Sequence, residues 1–234
     1  MDLWADFLTN RGKVIHKWEH YFPIYERHFG PWRGRTLTFF EIGVARGGSL
    51  QMWRRFFGPC ARIVGLDIDP RCQVHEEEGV HVRIGDQADL DFLARVLDEF
   101  GAPDIVLDDG SHRMSDIRAS FDILYPRLSK NGVYLVEDLH TAYWPEFGGG
   151  LGAPESFIAH AKALVDRLNA DHARGQVEAD DFTRQTLSIC FYDSIVAFEK
   201  GAPTRKTAPA IGYEVRGLIP TLRPARRPRA AKRG

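Results

Sequence analysis

The chain has 234 residues, of which 44% are hydrophobic, 12% aromatic and 27% charged. That composition supports a buried core and excludes a fibre or wholesale disorder. With 31 Lys and Arg against 32 Asp and Glu, the net charge of −1 argues against bulk nucleic-acid binding.

The charge is unevenly spread. After Gly201 there are nine basic residues against Glu214 alone, so that stretch is +8 and the remainder −9. Its Pro- and Arg-rich end has little apolar periodicity, and residues 202–234 read as a disordered basic tail. Cys60, Cys72 and Cys190 are odd in number and lack metal-site spacing, which fits a reducing compartment. The N-terminus lacks the order of a signal peptide, and no run of about 18 apolar residues could cross a bilayer. A cytoplasmic protein without membrane contact is expected.

Residues 1–35 read as an N-terminal helical cover. Within it HKWEHYFPIYERHF (16–29) is rich in aromatics and histidines. It suits a helix packing aromatics on a sheet, or a cover over a ligand mouth.

From residue 36 short apolar runs alternate with amphipathic stretches. The runs are 36–44, 61–69, 81–86, 103–109 and 132–139, and their continuous apolar character suits strands buried on both faces of a parallel sheet. Between them Leu93, Val96, Leu97 and Phe100 recur at helical spacing, as do Ile117, Phe121, Leu124 and Leu128, with Ser115 placed to cap the latter. A longer helical stretch over 155–175 precedes TLSICFYDSIVAFEK, two strand-like halves around Asp193 and Ser194. An α/β fold follows, a doubly wound sheet ending in an antiparallel hairpin.

Chemistry clusters at the carboxyl ends of these runs, where open α/β sheets bind ligands. FFEIGVARGGS brings Glu41, Gly43, Gly47, Gly48 and Ser49 to a strand-to-helix turn. Its spacing departs from G-x-G-x-x-G, which disfavours NAD. Asp67, with Asp69 beside it, is placed for ribose hydroxyls, and Asp86 and Gln87 for an adenine edge. DDGSH (108–112) and EDLHTAYW (137–144) bring Asp109, Glu137 and Asp138 to adjacent strand ends. Three such carboxylates repel unless a cation binds, and oxygen donors suit Mg²⁺ or Mn²⁺. His112 at the rim suits a general base, because imidazole titrates near neutrality. His140 is a weaker candidate.

FFEIGVARGGS, DDGSH, EDLHTAYW and FYDSIVAFEK together resemble the metal-dependent class I S-adenosylmethionine O-methyltransferases that modify deoxysugars of macrolides and related glycosides. The likeness runs from about His16 to Lys200. It implies a Rossmann-like seven-stranded sheet over 36–201. PEFGGGLGAPE (145–155) follows EDLHTAYW directly, its glycines suit a lid over the acceptor, and a lid insertion is expected at about 145–185. By the same resemblance Asp109, Glu137 and Asp138 are expected to bind Mg²⁺ (or Mn²⁺) and His112 to be the base. Glu41, Gly43, Gly47, Ser49, Asp67, Asp86, Gln87 and Asp108 fall where such enzymes hold S-adenosyl-L-methionine. The expected partner is a small-molecule glycoside acceptor, and the expected assembly a homo-oligomer, dimer or larger. Tyr143, Trp144 and Phe147 could stack on the acceptor.

Ala45 departs from the glycine common in this class. Other readings of the same residues are an O-methyltransferase of phenolic or catechol-type diols, a cephalosporin-hydroxylase-like enzyme, a phosphoryl-transfer or hydrolytic metalloenzyme, and a non-catalytic nucleotide-binding module.

Overall fold

A computed structural model describes residues 2–202 and 206–212. By its internal contacts the chain divides into a unit over Met1–Pro203 and another over Thr204–Gly234, and all described helix and strand lies in the first. Most of the expected basic tail, residues 203–205 and 213–234, lies outside the described residues. Among the described residues no helix is long and apolar enough to cross a membrane.

The N-terminal segment forms α1 (Leu3–Leu8), a 3-10 turn at Glu19–Tyr21 and α2 (Phe22–Phe29). Then β1 (Leu37–Ile42), α3 (Gly48–Phe57), β2 (Ala61–Asp67), β3 (Val80–Ile84), α4 (Leu90–Phe100), β4 (Ile105–Asp108), α5 (Met114–Arg127) and β5 (Val133–Val136) alternate. The chain continues through α6 (Phe157–Leu168) and α7 (Asp181–Gln185) into β6 (Thr186–Tyr192) and β7 (Ile195–Lys200). The seven-stranded sheet has the order β3-β2-β1-β4-β5-β7-β6. Pairing is parallel from β3 through β5, and β7 is antiparallel to both β5 and β6. The expected terminal hairpin forms, turning at Asp193 and Ser194. Strand order reverses between β1 and β4, and that switch point opens the crevice in which such sheets bind ligands.

Side chains alternate across the strands with a period of two. Phe40, Ile42, Val106, Tyr134 and Val136 face the core under α4, α5 and α6. Phe39, Ile63, Leu107, Val133 and Leu135 face the core shared with α1, α2 and α3. The alternation therefore sends Glu41 and Glu137 to the N-terminal side and Asp108 to the α5 side. On the N-terminal side the fully buried Trp53 is ringed by Tyr25, Phe29 and Phe39, with centroids 5.2–5.6 Å away.

Leu3, Tyr21, Phe22, Ile24, Tyr25 and Phe29 of the N-terminal segment are thus buried in the core, the arrangement of a helix packing aromatics on the sheet. Within the stretch expected as a lid, Phe157, Ala161 and Leu164 of α6 are buried in the α5-side core. A 12-residue amphipathic helix capped by Ser156 gains more from burying its apolar stripe than from spanning a mouth. Ser115 does not cap α5. The cap position is Arg113, and the Ser111 hydroxyl accepts from the Arg113 N–H at 3.2 Å.

Candidate active site

One cavity of about 820 Å³ opens at the carboxyl ends of β1, β2, β3, β4 and β5. Of the residues singled out in the sequence, Gly43, Ser49, Asp67, Asp86, Gln87, Asp109, His112, Glu137 and Asp138 line it. Glu41, Gly47 and Asp108 lie behind its wall. Tyr143, Trp144 and Phe147 are outside it, while Trp18 of the N-terminal segment stands at its edge.

The half of the cavity at β1–β3 is shaped by backbone. Gly43 has φ of 95°, and a Cβ there would collide with the Asp109 carbonyl. Glycine is what lets the β1 loop approach the β4 loop so closely. At Gly48, the first residue of α3, a Cβ would strike the carbonyls of Lys13 and Val14, so the N-terminal segment crosses directly over the helix start. Asp67 Oδ2 accepts from the N–H groups of Val44 at 2.8 Å and Ala45 at 3.0 Å, and Oδ1 from that of Asp69 at 2.8 Å. This pins the loop between β1 and α3 in place and holds Ala45 in the left-handed region at φ 47°.

Gln87, expected at an adenine edge, lines the cavity with its side-chain amide engaged at both ends. Its carbonyl oxygen accepts from Ser111 N–H at 2.7 Å, and its amide donates to Asp108 Oδ1 at 3.1 Å. Asp108 also accepts from the hydroxyls of Ser120 at 2.5 Å and Tyr134 at 3.0 Å. Burial pushes its carboxyl up to about 6 against those three donors. It buttresses α5 against the sheet.

The β4–β5 half is organised by side chains from the N-terminal segment. Lys17 Nζ donates to Asp109 Oδ2 at 2.5 Å and Glu137 Oε2 at 3.0 Å, and lies 3.5 Å from Glu41 Oε1. Its side chain is only 3% exposed. Burial alone would lower the ammonium's pKa, yet the facing charges of Asp109, Glu137 and Glu41 win and hold it well above its ordinary value. Tyr25 OH donates to Glu137 Oε1 at 2.5 Å, and Tyr21 OH to Asp138 Oδ1 at 2.6 Å. Glu41 accepts from Ser49 Oγ at 2.9 Å and from the Trp53 indole at 3.3 Å. Burial raises the carboxyls of Glu41 and Glu137 against the pull of Lys17, that of Glu41 to about 7.

These bonds decide which oxygens face the cavity. Asp109 Oδ1 and Asp138 Oδ2 lie 3.8 Å and 3.6 Å from His112 Nε2. Asp109, His112 and Asp138 can each bring one ligand atom within 4.8 Å of the others. The sequence reading groups Glu137 with the two aspartates. In the structure both Glu137 oxygens are taken by Tyr25 and Lys17, and His112 completes the group. His112 and Asp138 occupy left-handed backbone at φ 58° and 53°. For side chains with a Cβ this costs about 1–3 kcal/mol each, and such residues cluster at functional sites. His140 stands off, its Nδ1 4.0 Å from Asp138 Oδ1 and its ring 5.0 Å from Trp144.

Lys17, Tyr21 and Tyr25 are the site residues that the sequence reading missed. Their four-residue spacing within 16–29 is a visible pattern, but nothing local in the sequence indicates which strand ends they meet.

No family model matches the chain. It is 38% identical over 192 residues to the 8-demethyl-8-alpha-L-rhamnosyl tetracenomycin-C 2'-O-methyltransferase of Streptomyces olivaceus, a match covering 78% of this chain and 50% of that one. Against the mycinamicin VI 2''-O-methyltransferase of Micromonospora griseorubida it is 37% identical over 198 residues, covering 78% and 48%. The solved structure of the MycE methyltransferase of the mycinamycin pathway, in complex with Mg, SAH and mycinamycin VI, superposes with a TM-score of 0.74 at 33% identity, covering 86% of this chain and 53% of that one.

The fold is therefore that of the class I S-adenosylmethionine-dependent methyltransferases. Within that class the chain is a homologue of the sugar O-methyltransferases of macrolide and tetracenomycin pathways, and it spans about half the length of the relatives it matches.

Proposed function

We propose that this domain transfers a methyl group from S-adenosylmethionine to a hydroxyl of a deoxysugar on a glycosylated natural product, assisted by Mg²⁺ or Mn²⁺. The observation that carries the reading is the convergence of Asp109 Oδ1, Asp138 Oδ2 and His112 Nε2 in the same cavity as the Gly43 loop and Asp67. Its relatives' names supply the acceptor class.

The donor set fits a hard divalent ion. Two carboxylate oxygens with free lone pairs face the cavity, and solvent or an acceptor diol can complete an oxygen shell. Asp109 and Asp138 would hold the ion, with Glu137 beside them on the same cavity wall. Bound there, the ion would lower the pKa of an acceptor hydroxyl, and the sulfonium of S-adenosylmethionine would supply an electrophilic methyl. The protein's own part is orientation and proton removal. His112 Nε2, held between the two aspartates by its left-handed backbone, accepts the hydroxyl proton. Asp67 fixes the loop between β1 and α3, and with it the backbone that would cradle the methionine end of the cofactor. The exposed Ile68 side chain on the cavity wall offers apolar surface to a base.

Titration calorimetry with S-adenosylmethionine, with and without Mg²⁺, tests the reading in wild type and Asp109→Ala. Cofactor binding that survives the substitution, with Mg²⁺ binding that does not, is expected. No cofactor binding under any metal condition overturns it. An acceptor screen setting rhamnosyl and olivosyl glycosides against catechols then tests the substrate class.

A further inference from the structure

Asp109 and Asp138 each divide their two oxygens between the N-terminal segment and the side facing His112, whereas both oxygens of Glu137 accept from the N-terminal segment. Lys17 takes Asp109 Oδ2 and Glu137 Oε2, Tyr25 takes Glu137 Oε1, and Tyr21 takes Asp138 Oδ1. The oxygens left facing the cavity are Asp109 Oδ1 and Asp138 Oδ2, beside His112. A buried ammonium among three carboxylates is sustained only by such pairing, and buried carboxylates without a cation are costly in turn.

We propose that Lys17 is a resident cation of this site, filling the position beside Asp109 and Glu137 that a second metal ion would otherwise take. The acid cluster is then assembled before any divalent ion arrives, and it holds a single, exchangeable ion on the Asp109 Oδ1 and Asp138 Oδ2 side. Paired metal sites place their ions about 3.5–4 Å apart on bridging carboxylates. Asp109, with one oxygen on Lys17 and the other 3.8 Å from His112 Nε2, is the acid that Lys17 and a bound ion would share. Lys17 acts through the acids and is a positioning residue. The inference rests on the metal reading above.

The test compares wild type, Lys17→Met and Lys17→Met/Glu41→Gln, following Mn²⁺ binding by electron paramagnetic resonance and Tm with and without Mg²⁺. In wild type we expect folding without metal and a modest gain in Tm on saturation. Lys17→Met should lose Tm in metal-free buffer and recover most of it with Mg²⁺. It should bind Mn²⁺ on the order of tenfold more tightly, because a neighbouring positive charge has gone. The double variant removes one ammonium and one buried carboxylate together, so it should regain metal-free stability and near-wild-type Mn²⁺ affinity.

Equal metal-induced gains in wild type and Lys17→Met, or unchanged Mn²⁺ affinity, would show Lys17 to be merely structural and overturn its role as a cation. A double variant no more stable than Lys17→Met does the same. Absence of Mn²⁺ binding in every variant overturns the metal reading and this role together.

Discussion

The two halves of the cavity are built by different means. At the ends of β1, β2 and β3 the geometry comes from backbone and near neighbours, since Gly43 permits the close loop and Asp67 holds the N–H groups of Val44 and Ala45. At the ends of β4 and β5 it comes from Lys17, Tyr21 and Tyr25, which are 92 to 120 residues away from the acids they bind. The first half can shape a ligand site with few charges. The second must gather several carboxylates, and it does so only because a buried ammonium and two phenols are brought to them.

Substitutions that separate the halves should break this contrast if it is wrong. The largest effect is expected at Asp109. Asp109→Ala should lower turnover roughly 1,000-fold or more, since metal assistance is worth several kcal/mol, while cofactor affinity measured by calorimetry stays near wild type. His112→Ala should cost about 10²–10⁴-fold in turnover, the range for a general base. Unchanged kcat would remove it from that role. The reverse pattern belongs to Asp67. Asp67→Ala should weaken cofactor binding by roughly 10- to 100-fold through loss of charge-assisted bonds to the loop, with metal affinity unchanged, and equal damage to both ligands would erase the distinction.

Smaller effects sharpen it. Tyr25→Phe leaves Glu137 short of a donor and should cost about 1–3 kcal/mol in urea unfolding. His160, near α5 and remote from the cavity, serves as a control. Burial, then the nearby Arg118 charge, lowers its pKa from 6.5 to about 4, and its Nε2 has no hydrogen-bond partner. The folded state resists protonation there, so its contribution to stability is complete above about pH 6.5 and is lost as pH falls toward 4. His160→Gln should flatten the stability loss across that window without altering cofactor or metal binding. A slope identical to wild type would place the acid sensitivity elsewhere.

Much of the domain was legible in the chain. The apolar runs became strands because they can be buried on both faces, and the helical periods of Leu93–Phe100 and Ile117–Leu128 became α4 and α5. The strand-end acids were recognisable because strand ends in such sheets converge on the switch point. The details that escaped are of one kind. Glu137 was read with Asp109 and Asp138 because all three are acids after strands. The period of two turns Glu137 to the side where Tyr25 and Lys17 wait, and turns Asp108 to Ser120 and Tyr134. The glycines of 145–155 suggest a lid insertion running to about 185, yet the apolar stripe of α6 commits Phe157, Ala161 and Leu164 within that range to the core.

By itself, then, the sequence determined the βαβ alternation, the closing hairpin, the glycine-bearing turn after β1 and the presence of acids and a histidine at neighbouring strand ends. Those features depend on local periodicity, backbone freedom and chemical type, which a linear string carries. Only the tertiary structure decided that the 16–29 segment supplies a buried ammonium and two hydroxyls, that Asp109 Oδ1 and Asp138 Oδ2 are the oxygens turned toward His112, and that both Glu137 oxygens are engaged by Lys17 and Tyr25. Those outcomes depend on which strand faces meet the N-terminal segment. That is a long-range packing choice, settled by burying Trp53, Phe29 and Tyr25 against the sheet rather than by any residue's own preference.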